Sequence, residues 1–223
     1  MLANPTVATV CGVVDVRMSS GGLMHVPRPA PALRLAGPAD LERSVRRRAG
    51  SAVLAGRVGS DGLLVGVEAA LRHLALAHRA TGAAIAVGTE PNLTTGLDVA
   101  HVLDRERVDA RHVLLTGCGS ASDVTHLAEL ADWGFRLGIE WNREDGDDPL
   151  DLAAELTRRG RADRVVLLSG AAVPACPQDR AHLERMLHDR GIGTADVAAI
   201  VRVSGHTWLG GSAASHGHRR VAG

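Results

Sequence analysis

Residues 83–117 read AAIAVGTEPNLTTGLDVAHVLDRERVDARHVLLTG, and this stretch decides the fold. Ala83–Val87 is a short apolar run that stops at Gly88, and His112–Thr116 is a second one that stops at Gly117. Between them, Thr94–Arg107 carries Val99, Val102 and Leu103 on one side of a 3.6-residue repeat, the mark of an amphipathic helix. Strand, helix and strand in that order form one βαβ unit, which implies a parallel sheet.

Outward from this unit the alternation continues. Further strands are expected at Val53–Val58, Phe135–Glu140 and Arg164–Ser169. Further helices are expected at Val67–Ala80, Ser122–Trp133, Pro149–Arg159, Gln178–Arg190 and Thr194–Arg202. Toward the N-terminus, Pro38–Arg48 reads as a helix with proline at its start and arginines at its end. Gly21–Val26 reads as a short strand cut off by Pro27, and Pro27, Pro29 and Pro31 force an extended connection. Thr6–Arg17 reads as a hairpin turning at Cys11-Gly12. The stretch 1–209 is therefore expected to form a single domain, and the small, polar Gly210–Gly223 a disordered tail.

Composition narrows the classes of function. With 25 Lys+Arg against 25 Asp+Glu in 223 residues, the formal net charge is zero, which favours neither nucleic acid nor an anionic membrane as partner. Every Lys+Arg residue is arginine, so lysine Schiff bases and lysine carbamates are excluded. Cys11, Cys118 and Cys176 lack the paired spacing of a disulfide framework or a thiolate zinc site. No signal peptide and no apolar run long enough for a membrane span is evident, so a cytoplasmic protein is expected.

Several segments, taken in order, resemble the phosphotriesterase family of metal-dependent hydrolases. Leu23-Met24-His25 is similar to the start of that family's Leu-Met-His-Glu-His strand, and Ala77–Ile85 to its junction before the fifth strand. Val108–Val113 resembles the approach to its Ile-Gly-His-Cys-Gly segment, Gly160–Ser169 the run before its Ser-His-Asp, and Ile200–Leu209 its closing segment. The resemblance implies a TIM-barrel-like (β/α) fold whose site gathers at the C-terminal ends of the strands. It also implies two divalent ions activating a hydroxide for attack on a phosphoester or lactone.

Position by position, the resemblance also marks departures. His25 stands where the first ligand belongs, but Val26-Pro27 follows it in place of a spacer and a second histidine. The position of the anionic bridge falls at Arg57, and the two histidine positions on the fifth and sixth strands fall at Gly88 and Gly117. Ser169-Gly170-Ala171 stands for Ser-His-Asp, and Trp141 where some members carry a relay histidine. About thirty residues lie between His25 and Arg57, where two further βα units would need roughly twice that or more. A shortened barrel of about six parallel strands is therefore expected, either left incompletely closed or completed by a second copy as a homodimer.

Three readings of function stay open at this level. The first is a family member with a degenerate metal site, a non-hydrolytic protein or pseudoenzyme binding a small, possibly anionic ligand. The second is a metal-dependent hydrolase of phosphoesters, lactones or related esters, holding a divalent metal such as zinc. The third is a metal-free acid–base enzyme, with His25, Arg57 and Glu140 as catalytic candidates at strand C-terminal ends. The loss of several ligands at once favours the first, with no metal and no other cofactor. Cys118 reads as a small buried residue, His73 and His78 as solvated helix residues, Asn142 as a loop neighbour of Glu140, and His216 and His218 as tail residues.

Overall fold

A computed structural model of the chain describes residues 11–15, 17–18, 24–26, 36–48, 52–59, 61–90, 95–118, 123–141, 148–169 and 177–203. Pro27, Pro29, Pro31, the segment before Cys11 and the tail Gly210–Gly223 lie outside the described residues. In chain order the elements are β1 (Cys11–Asp15), β2 (Arg17–Met18), β3 (Met24–His25), α1 (Pro38–Arg47), β4 (Ala52–Arg57), α2 (Val65–Thr81), β5 (Ile85–Gly88) and α3 (Thr95–Arg105). They continue with β6 (Val113–Cys118), α4 (Val124–Asp132), β7 (Arg136–Trp141), α5 (Asp148–Arg158), β8 (Val165–Ser169), α6 (Pro177–Asp189) and α7 (Thr194–Val203).

The strand order is β1-β4-β5-β6-β7-β8-β3-β2. Every pairing from β4 through β8 to β3 is parallel, which gives the expected six parallel strands. β3 pairs with β8 rather than with β4, so the ladder stays open as a barrel.

The N-terminal hairpin is corrected. Cys11–Asp15 is one unbroken strand lying antiparallel along β4, from Cys11 opposite Gly56 to Asp15 opposite Ala52. With only Val16 between, Arg17 stands opposite His25 on the other edge of the parallel set. A single segment thus covers both edges, where bare parallel edges would invite pairing with another chain. The reason is the alternation along it: Cys11 and Val13 pack into one core and Val14 into the other, so Gly12 sits within the pleat and does not turn the chain.

The two cores lie on opposite faces. Alternate strand residues such as Leu54, Ile85, Leu115, Leu137 and Leu167 pack under all the helices as one large apolar cluster. Among the described residues the other face carries no helices, and it gathers Met24, Val53, Ala84, Ala86, Leu114, Val166 and Leu168 into a small inner cluster. This is the layer pattern of a barrel wall, helices outside and side chains inside.

Helix and strand limits move by a few residues from expectation, for identifiable reasons. α2 ends because Gly82 takes the left-handed conformation at φ 71° and donates its N–H to the His78 carbonyl. β6 starts after His112 because residues 110–112 form a 3-10 turn. Asp109 caps that turn, accepting the Arg111 N–H at 3.0 Å, and the Arg111 guanidinium beside it holds its carboxyl at about 2.

Candidate functional site

The parallel register lines up the ends of the strands. Arg57 stands opposite Gly88, Gly88 opposite Thr116, and Glu140 opposite Leu168. Above the inner cluster these residues, with Val26 from the edge strand, surround a cleft of about 70 Å³. That is space for about two water molecules or a small anionic group, a water's share of liquid volume being about 30 Å³.

Two of the three candidate residues meet here. Arg57 and Glu140 both line the cleft. His25 is placed on β3 by its backbone, opposite Arg17, but its side chain lies outside the described residues, and Val26 supplies that strand's part of the lining. Asn142, Ala171, Cys176, His216 and His218 also lie outside them.

The partner of Arg57 was missed in the sequence. Its Nη2 donates to Oε1 of Glu90 at 3.0 Å, with the arginine side chain 46% and the glutamate 27% exposed. Glu90 follows β5 by two residues, so the rule that strand C-terminal ends gather function was the signal available for it. The same turn is tied down by Thr89, whose N–H and Oγ1 donate to the Thr116 carbonyl at 2.8 and 3.1 Å.

The glycines at the two expected histidine positions are not alike. A Cβ on Gly88 would lie 3.6 Å from Arg57 Cγ and 3.6 Å from Thr116 Oγ1, an ordinary contact distance. Gly117 has φ +86°, and a Cβ there would lie 2.2 Å from the Thr89 carbonyl oxygen. It is the extra residue where the β6–β7 register shifts between Thr116 and Cys118, a bulge that only glycine accommodates in this form.

Other residues resolve as structural. Burial first and the Glu140 carboxylate second push the Cys118 thiol up to about 12, so it remains a protonated core group as expected. Trp141 is 5% exposed and packs in the helix-side cluster. His73 and His78 are half-buried rather than solvated. The Nδ1 of His73 lies 3.0 Å from the Ala36 carbonyl, and that of His78 2.8 Å from the Ala83 carbonyl, because each ring bridges a helix to a preceding or following loop. Among the described residues, no group of three or more His, Cys, Asp or Glu side chains is arranged to hold a metal ion. No helix among them is long and apolar enough to cross a membrane.

A sequence profile of the Phosphotriesterase family matches residues 48–190. Over 110 residues the chain is 38% identical to a phosphotriesterase homology protein of Mycobacterium tuberculosis, covering 48% of this chain and 34% of that one. It is 26% identical over 110 residues to an aryldialkylphosphatase of Saccharolobus solfataricus, covering 48% and 35%. The chain thus spans about a third of the length of the curated relatives it matches. The structure of the phosphotriesterase from Mycobacterium tuberculosis superposes with a TM-score of 0.57 at 29% identity, over 70% of this chain and 56% of that one. A phosphotriesterase homology protein from Escherichia coli gives 0.55 at 19% identity, over 66% and 56%, a likeness of fold alone.

Proposed function

The chain belongs to the phosphotriesterase family, and from that premise we propose that it is a non-hydrolytic member that binds a small anion where its relatives' chemistry would sit. The observation carrying this reading is the end of β6, where the Thr89 carbonyl occupies the space of any side chain at position 117. A histidine there would require the turn after β5 to be rebuilt as well, so the departure is a property of the backbone. Two dications also need an anion between them, and the residue at that position is Arg57, a permanent cation. The residues described therefore do not fit a two-ion centre.

What the cleft offers instead is a half-exposed guanidinium beside small residues, Gly88 and Ala86. A guanidinium has five N–H donors in a planar fork, suited to a carboxylate, sulfonate or phosphate oxygen pair. With one donor engaged by Glu90, others are left to meet a ligand. Glu140 also lines the cleft. The test is Arg57→Ala followed by calorimetric titration with small carboxylates and organophosphates. Loss of a charge-assisted hydrogen bond should lower affinity by about ten- to a hundredfold. Binding unchanged in that variant, with the circular dichroism spectrum retained, would remove the proposal.

A further inference from the structure

The ion pair of Arg57 with Glu90 sits on a constrained backbone. Thr89 is held over β6 by both its N–H and its hydroxyl, and its carbonyl fills the space that Gly117 leaves. The residue directly after it is therefore delivered to the rim of the cleft, where the Glu90 carboxylate accepts from Arg57 at 3.0 Å. The absence of a side chain at position 117 and the presence of a carboxylate beside Arg57 are two sides of one arrangement.

An anion reaching Arg57 must settle beside that carboxylate, with Glu140 on the lining as a second one. The interaction of a fixed charge with a ligand is proportional to the ligand's charge, and the desolvation of an ion grows faster than that. Among the described residues of the lining Arg57 is the one cation, so a second ligand charge meets the Glu90 carboxylate beside it. We propose that Glu90 is the specificity-determining residue of this cleft and makes it select singly charged anions over doubly charged ones. The favoured class is then carboxylates, sulfonates and phosphodiesters, and the disfavoured class phosphomonoesters. This rests on the reading of Arg57 as the anion anchor.

Methanesulfonate and sulfate are suitable probes, because they share a tetrahedral head and differ by one charge. Both are titrated at fixed ionic strength into the wild-type protein, Glu90→Gln, Glu90→Ala and Arg57→Gln, with amide chemical shifts as readout and melting curves to verify the fold. The wild type should bind methanesulfonate more tightly than sulfate. Removing the Glu90 charge should raise methanesulfonate affinity about two- to fivefold, and sulfate affinity by about the square of that factor. Two variants at position 90 keep the test available if one of them fails to fold. Equal gains for the two anions, or a wild-type preference for sulfate, would overturn the inference, while binding lost in Arg57→Gln would still support the anchor. Binding of neither anion in an Arg57-dependent way would overturn the anchor reading itself, and the selectivity with it.

Discussion

At the end of β5 a side chain added to Gly88 would make ordinary contacts at 3.6 Å, whereas at the end of β6 one added to Gly117 would run into a backbone oxygen at 2.2 Å. In sequence the two positions look the same, a glycine at each place where the family resemblance expects a histidine. In space they differ in kind. β5 pairs in regular register, while β6 is bulged at Gly117 and bonded to Thr89 in the turn after β5. A glycine at such a position can thus leave open space or close against backbone, and only the second resists a new side chain.

The sharpest way to break this comparison is to place the same methyl group at both ends. Gly117→Ala combines a positive φ with a clash against backbone, and should destabilise the protein by about 2–4 kcal/mol. Gly88→Ala should change stability by less than about 1 kcal/mol. Urea denaturation of the two variants measures both. Similar losses at the two positions would mean that β6 is free to relax and that the distinction is illusory.

A smaller effect sharpens the comparison from the other ends of the same strands. His78 bonds the Ala83 carbonyl just before β5, and its ring centroid lies 5.4 Å from that of His112 just before β6. Burial lowers the pKa of His78, opposed by the Ala83 carbonyl, and His112 and Arg79 lower it further while Asp109 raises it. The folded state therefore binds a proton at His78 less readily than the unfolded chain. This contribution is complete above the unfolded imidazole value of about 6.5 and is lost as pH falls toward the folded value. Chemical denaturation between pH 7.5 and 5, as proposed conditions of about neutral to mildly acidic, should show a steeper loss for the wild type than for His78→Gln. Parallel pH profiles would remove His78 as the cause.

The parts legible in the sequence were those with local causes. The βα alternation follows from apolar runs and helical periodicity, and it located all six parallel strands to within a few residues. The path of the N-terminal segment was misread because Gly12 looks like a turn locally. Its place within a strand depends on β4, forty residues away at Ala52–Arg57, which no local pattern encodes. That Arg57 and Glu140 lie at the same end of the sheet was legible because strand C-terminal ends can be found from periodicity alone, and both line the cleft there. Glu90 was not, since its contact with Arg57 depends on Thr89 folding across to β6. Histidines 73 and 78 were misjudged for a similar reason, their carbonyl partners lying on loops whose approach a helical wheel does not reveal.

The measurement that bears most directly on the central claim is the metal content of the protein, purified without a histidine tag and assayed for ester hydrolysis before and after chelation. Arg57 at the bridging position and the closed space over Gly117 predict less than one tightly held transition-metal ion per chain, with no hydrolysis for a chelator to abolish. Two tightly held ions per chain, together with hydrolysis that chelation abolishes and metal restores, would contradict the account.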